Sequence, residues 1–388
     1  MEKEGLIKLL EIFFHKLSKR KYIVFESNPD FSCNTFPVYE KIKNNNLFKD
    51  YKLVWFTRKK INCDKSIVCI PFDGSKIDFI RRLYYTSAAK CFVSCNRILP
   101  KVFSDQVSVF LSHGSKTKVT RGICEIGNAA DYVMVQSHFF DDVIKYEYNL
   151  KDEQLAYCGY PRCDYFVNCD KNISELFGFE NGSKYIVWLP TFRRNVNRGI
   201  DDAKSNYSQF GMPIIYNVDE LKELNEYLKQ RNMYILFKAH PVQDISTLKA
   251  QSLSNFLVIN DKLLAEKGLQ LYELLAKSSA LLTDYSSVFF DYLLLDNPIG
   301  TTTDDIAEWK EGRGFAFDLE SMYDEATTRI PDFNALLGFI ECVYKDVDEK
   351  KEQRLKIKNL TNIHKDGNSA QRVADFIYDK IKNLESIK

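Results

Sequence analysis

The sequence predicts an α/β protein of two domains, each built on a parallel sheet, and three observations carry this. The chain has 388 residues, more than one ordinary hydrophobic core serves. Short continuous apolar runs alternate with longer amphipathic stretches, the pattern of strands covered by helices on both faces. The runs also fall into two series, separated near residues 170–183 by the polar stretch DKNISELFGFENGSK.

In order along the chain, the first segment is MEKEGLIKLLEIFFHKLSKRK. Its acidic start, and Lys8 and Glu11 inside the apolar part, do not fit a signal peptide. Leu6, Ile7, Leu10, Phe13, Phe14 and Leu17 have helical spacing, and Lys16, Lys19, Arg20 and Lys21 follow. Such a helix suits an anionic membrane surface, or packs on its own domain. The first series of strands is then YIVFES (22–27), KLVWFT (52–57), SIVCIPF (66–72), KCFVSC (90–95), VSVFLS (107–112), YVMVQS (132–137) and LAYCGY (155–160). The second is YIVWLP (185–190), YILFKA (234–239), FLVIN (256–260), ALLTD (280–284) and PIGTT (298–302). Helical patterns such as DELKELNEYLKQ (219–230) and LQLYELLAKSS (269–279) lie between strands. The end, NSAQRVADFIYDKIKNL, reads as an amphipathic helix that Asn368 or Ser369 caps. The expected division is 1–175, 176–365 and a terminal helix over 366–388, with the two domains facing each other across a cleft.

Composition excludes several classes. With 54 basic and 53 acidic residues there is no whole-molecule footprint for nucleic acid. No run reaches the roughly 18 apolar residues of a membrane span. The ten cysteines include no CxxC pair and no histidine at ligand spacing, so they read as reduced thiols of a cytosolic protein, with no metal site. Neither a Walker A motif nor GxGxxG is present, which excludes an ordinary P-loop or dinucleotide enzyme.

Ligands of open parallel sheets bind beyond the carboxyl ends of the strands. VSVFLS is followed there by His113, Gly114, Ser115, Lys116, Thr117 and Lys118, and YVMVQS ends on Ser137. After LAYCGY come Pro161, Arg162 and Asp164; after YIVWLP, Thr191, Arg193 and Arg194; after YILFKA, which carries Lys238, His240 and Pro241. ALLTD runs into Thr283, Asp284, Tyr285, Ser286 and Ser287. Cations, imidazoles and hydroxyls at these places suit a phosphorylated ligand. Ser286 and Ser287 open a helix, whose free N–H groups favour anions. The plainer readings are that Ser286 and Ser287 only cap that helix, that Asp284 satisfies loop amides, that His240 shapes a turn before proline, and that Arg162 pairs with Asp164.

The ordered set FESNPDFSCN, SHGSKTK, GYPRCD, LPTFR, FKAHP, LLTDYSSVFFDYLLLDNPI and EGRGFAFD resembles the CDP-glycerol glycerophosphotransferase family of wall teichoic acid synthesis, over residues 22 to 380. The resemblance implies a GT-B fold of two Rossmann-like domains with parallel sheets, the terminal helix crossing back to the first domain. It implies that the second domain binds the donor, and that the enzyme sits peripherally at the inner face of the cell membrane and acts on a lipid-linked or saccharide acceptor. It needs no cofactor and no dedicated metal. The segment His113–Lys118 lacks the proline of the family's HGTPLK-like pattern, and Phe192 stands where its tryptophan is usual.

The reaction so implied moves glycerol phosphate from CDP-glycerol, or another polyol phosphate from its CDP-polyol, to a hydroxyl and releases CMP. His113 is the expected general base, since an imidazole's ordinary pKa near 6.5 suits proton removal at neutral pH. His240, Arg193, Lys238, Ser286, Ser287 and Arg313 are expected at the donor phosphates, with Thr283 and Asp284 organising the loop or meeting the ribose. Gly114, Ser115, Lys116, Ser137, Arg162 and Asp164 are expected on the acceptor or phosphate side. A glycosyltransferase using a nucleotide sugar would keep this fold, and a non-catalytic phospholigand-binding or membrane-binding protein would keep the scaffold without the base.

Overall fold

The computed structural model describes residues 2–18, 20–117, 126–191, 194–195, 200–201, 210–239, 246–312 and 314–386. In chain order its first elements are α1 (Glu2–Leu17), β1 (Lys21–Glu26), α2 (Thr35–Lys43), β2 (Tyr51–Thr57), β3 (Ile67–Pro71), α3 (Lys76–Ala88), β4 (Ala89–Ser94) and β5 (Val107–Phe110). There follow α4 (Ile126–Ala129), β6 (Tyr132–Met134), α5 (Asp141–Tyr148), β7 (Leu155–Ala156), α6 (Tyr165–Asn168), α7 (Ile173–Phe177) and β8 (Lys184–Leu189). Next are β9 (Arg194–Asn195), β10 (Ile200–Asp201), α8 (Val218–Lys229), β11 (Met233–Lys238), α9 (Ser246–Lys249), β12 (Phe256–Ile259), α10 (Asp261–Glu266), α11 (Leu271–Ala276) and β13 (Ala280–Thr283). The last are α12 (Val288–Tyr292), β14 (Ile299–Thr302), α13 (Ile306–Gly312), α14 (Leu319–Ala326), β15 (Thr328–Ile330), α15 (Phe333–Tyr344), α16 (Lys351–Thr361) and α17 (Ser369–Ser386).

These elements form two compact units: Met1–Ser115 with Gly122–Asp164 and Ile363–Lys388, and Lys116–Arg121 with Tyr165–Asn362. The first holds a seven-stranded sheet in the order β3-β2-β1-β4-β5-β6-β7, with every neighbouring pair parallel. The second holds a six-stranded parallel sheet in the order β12-β11-β8-β13-β14-β15. Every apolar run read as a strand is one. The sequence reading missed three strands. β15 has only three residues, too short for a periodic signal, and β9 with β10 is a two-residue antiparallel pair.

The strands are long runs of β-branched and aromatic residues because helices cover both faces of each sheet. In the first unit Ile23, Phe25, Trp55 and Val93 are buried with Ala370, Val373, Ala374, Ile377 and Ile381 of α17. The start of α17 is held from a distance. Asp164 accepts the N–H groups of Ser369 at 2.8 Å and Ala370 at 2.7 Å, and so fills the capping role that Asn368 or Ser369 was expected to fill. A Cβ on Gly159, whose φ is +77°, would lie 2.6 Å from Ser369 Oγ, so a side chain there would push this helix start away. In the second unit Ile186, Trp188, Phe237, Leu282 and Phe339 centre the core.

α1 packs against α3. Phe14 meets Tyr84 edge-on, and His15 Nδ1 lies 2.8 Å from the Ser87 carbonyl. Leu6, Leu9, Phe13 and Leu17 nevertheless stay exposed. One cysteine reading is corrected: Cys63 and Cys69 are joined as a disulfide, with Cα atoms 6.1 Å apart. The loop after β2 turns back into β3 and sets these two thiols side by side, a proximity that spacing in the sequence does not reveal.

Candidate functional site

Each sheet has a point where its strand order reverses, and ligand crevices of open α/β sheets form at such points. In the first unit it lies between β1 and β4. Glu26, the buried last residue of β1, accepts the N–H groups of Asn96 at 3.2 Å and Arg97 at 2.8 Å. Burial pushes its carboxyl pKa up, against the pull of those amides and of Arg58. Glu26 thus ties the ends of the two strands on either side of the crevice.

His113 stands at this end of the sheet. Buried Leu111 and Ser112 follow β5, Ser112 takes the left-handed φ of 59°, and the imidazole emerges exposed. Its Nδ1 lies 3.3 Å from Cys33 Sγ and 3.4 Å from Asn96 Nδ2. Arg162, buried, donates from Nη1 to the His113 carbonyl at 3.0 Å. Ser112 Oγ donates to the Gly114 carbonyl at 3.1 Å, and Ser115 Oγ to Gln136 Oε1 at 2.7 Å. Ser137 Oγ is buried with no hydrogen-bond partner among the described residues. Lys116 is half-buried.

In the second unit the reversal lies between β8 and β13. Asp284, fully buried just after β13, accepts the Thr191 N–H with both carboxylate oxygens at 2.8 Å, which clamps the loops after the two strands together. Thr283 Oγ1 donates to the Leu189 carbonyl at 2.9 Å. Tyr285 is buried, with its hydroxyl on Asp305 at 2.8 Å and its ring against Trp309. Its carbonyl accepts Thr117 Oγ1 at 3.1 Å. Ser286 and Ser287 come next, half-buried, before the five-residue α12. Ser287 makes no side-chain cap, and neither hydroxyl has a hydrogen bond with the described residues.

The structure therefore sorts the sequence candidates. It ties His113 to Arg162, Gly114 to Ser112, and Ser115 to Gln136. Arg162 and Asp164 do not pair with each other; one holds His113 and the other holds α17. Thr283 and Asp284 spend their side chains on the loop. Lys238 pairs with Asp261 at 3.0 Å. Arg193, His240 and Arg313 lie outside the described residues. Sequence reasoning missed Cys33, Asn96 and Glu26. They lie at strand ends, which is a signal of sorts, but their neighbours become visible only in three dimensions. Among the described residues no group of three or more His, Cys, Asp or Glu is placed to hold a metal, and no helix is long and apolar enough to cross a membrane.

The family described as CDP-glycerol:poly(glycerophosphate) glycerophosphotransferase matches residues 9–379. The chain is similar to a teichoic acid poly(glycerol phosphate) polymerase of Bacillus spizizenii, with 25% identity over 90% of this chain and 91% of that one. It is also similar to a teichoic acid ribitol-phosphate primase of the same organism, with 26% identity over 64% of this chain and 59% of that one. A solved structure of the wall teichoic acid polymerase TagF superposes with a TM-score of 0.74 at 21% identity, covering 98% of this chain and 95% of that one. That likeness gives the architecture, a GT-B-like pair of Rossmann-type units.

Proposed function

The chain belongs to the CDP-glycerol:poly(glycerophosphate) glycerophosphotransferase family, and from that premise we propose that it moves glycerol phosphate from CDP-glycerol to a hydroxyl of a lipid-linked or polymeric teichoic acid acceptor and releases CMP. His113 is the base. Its imidazole takes the acceptor's hydroxyl proton as the oxygen attacks the phosphorus bearing glycerol, in line with the departing CMP. The P–O bond to CMP breaks, and the proton later leaves the imidazolium for solvent. Such a transfer depends mainly on positioning and on neutralising phosphate charge. Ser286 and Ser287 bind the pyrophosphate, held in place by Asp284 and Thr283 beneath them. Arg193, His240 and Arg313 add cationic and imidazole contacts there. Gly114, Ser115 and Ser137 shape the acceptor side.

The observation that carries this reading is the pair of Ser286 and Ser287 hydroxyls, without protein partners among the described residues, at the reversal point of the second sheet. A plain helix cap would have bonded its own amides. Replacing both with Ala should weaken CDP-glycerol binding about 10²–10⁴-fold, the loss of two hydrogen bonds to a charged group. Unfolding should be unchanged, since no protein bond is lost. Calorimetric titration of CDP-glycerol checks this, and unchanged affinity would remove Ser286 and Ser287 from the donor site.

The same reading places the enzyme at an anionic membrane surface on the inner face of the cell membrane. It is supported by the apolar side chains exposed on α1 and α3, two helices that pack together, namely Leu6, Leu9, Phe13 and Leu17 with Ile77, Phe79 and Ile80. Exposed Lys8, Lys16, Lys76 and Arg81 lie on the same two helices. Leu9→Glu with Phe13→Glu should abolish co-sedimentation with phosphatidylglycerol vesicles while circular dichroism stays unchanged. Equal sedimentation with neutral vesicles would count against the electrostatic part.

A further inference from the structure

A histidine that serves as a base needs a partner on one ring nitrogen, so that the other is left unprotonated and aimed. Triads use a carboxylate for this. No carboxylate touches His113 among the described residues. We infer that Cys33 takes that place: its sulfur accepts the Nδ1–H of His113, and Nε2 is thereby left to receive the acceptor's proton. The inference rests on the reading that His113 is the base.

Two groups compete for Nδ1, Cys33 Sγ at 3.3 Å and Asn96 Nδ2 at 3.4 Å. With the sulfur as acceptor, they demand opposite tautomers. An Asn96 N–H donated to Nδ1 would put the proton on Nε2 and abolish the base. The distances favour sulfur. An N–H···N bond at 3.4 Å is well beyond the usual 2.9–3.0 Å of nitrogen donors, about 0.4 Å too long, whereas the larger sulfur makes its full contact near 3.3 Å. Asn96 also has another duty: its Oδ1 accepts the Asn28 N–H at 2.8 Å.

The surroundings of Cys33 suit an anion. Arg162 Nη1 lies 3.5 Å from the sulfur and also donates to the His113 carbonyl, so one guanidinium fixes both members of the pair. The Cys95 thiol beside it, with the charge of Arg162 behind, holds the Cys33 thiol well below the ordinary thiol range. Burial pushes the thiols of Cys91 and Cys95 the other way. The backbone is built to bring the pair together. Cys33, with φ 56°, and Ser112, with φ 59°, both take the left-handed conformation that side chains avoid, and they flank the contact from either side. Asn34 locks the two segments by donating to the carbonyls of Leu111 at 3.3 Å and Ser112 at 2.9 Å while its Oδ1 accepts the Arg162 N–H at 3.1 Å. A buried amide with this many bonds holds Cys33 against His113 as a fixed geometry rather than a passing one.

The test reads the proton directly. In uniformly 15N-labelled full-length protein near neutral pH, the ring nitrogen shifts of His113 should report the Nδ1–H tautomer. Cys33→Ala should move it to Nε2–H, with Asn96 now the donor, and Cys33→Asp should restore Nδ1–H. In turnover with CDP-glycerol, Cys33→Ala should lower kcat about 10–100-fold, the range for partners that orient a working histidine, with KM for CDP-glycerol unchanged, and Cys33→Asp should recover most of the loss. An Nε2–H tautomer in the wild-type protein overturns the inference without any variant having to fold, and so does wild-type kcat in Cys33→Ala. The spectrum answers whether or not the chain consumes CDP-glycerol. An active His113→Ala would remove the base reading and leave the tautomer result standing on its own.

Discussion

His113→Ala is expected to bind CDP-glycerol normally and to turn it over about 10²–10⁴-fold more slowly, the worth of one positioned general base. The effect should fall on kcat. On the proposed reading donor affinity belongs to residues of the second unit, and among the described residues His113 makes no bond that the first unit's core depends on. Its imidazole is exposed, with Nδ1 contacting only Cys33 and Asn96 among the described residues, so the substitution removes no buried packing there. Single-turnover quench measurements at saturating donor separate the chemical step from binding. If the variant keeps more than about a tenth of the wild-type rate, proton removal belongs to another group.

Asp284→Ala is expected to damage both stability and donor binding. Its carboxylate lies fully buried and holds the Thr191 N–H with both oxygens. Removing a charged acceptor from a buried amide costs about 3 kcal/mol, part of it for leaving that amide unsatisfied. The loss is local to the point where the loops after β8 and β13 meet, directly beneath Ser286 and Ser287. Urea denaturation should show the midpoint falling, and titration at low temperature should show weaker CDP-glycerol binding by the folded fraction. Ser286→Ala should share only the second effect. A stable Asp284→Ala with normal donor affinity would mean that the clamp is dispensable.

Much of this architecture was legible in the residues, and the reason is physical. Parallel strands buried on both faces must be apolar throughout, so YIVFES and YIVWLP announce themselves. β15 reads only Thr-Arg-Ile and carries no such signal. His113 stood out because it directly follows a buried strand, and its imidazole is exposed just beyond β5. The partner of His113 did not, since Cys33 lies 80 residues away and is one cysteine among ten. Thr283 and Asp284 follow the loop-organising reading: their side chains hold Leu189 and Thr191. Arg162 and Asp164 are adjacent in charge and sequence but serve different partners, which only the packing of α17 explains.

The most direct measurement of the central claim is a mass balance on the donor. The protein, a lipid-linked acceptor and CDP-glycerol labelled in the glycerol are incubated together, with CDP-ribitol and a set of nucleotide sugars run in parallel. One CMP should be released for each labelled glycerol phosphate joined to the acceptor, and no nucleoside diphosphate from any sugar donor. UDP or GDP released from a nucleotide sugar, with no CMP from either CDP-polyol, would contradict the claim.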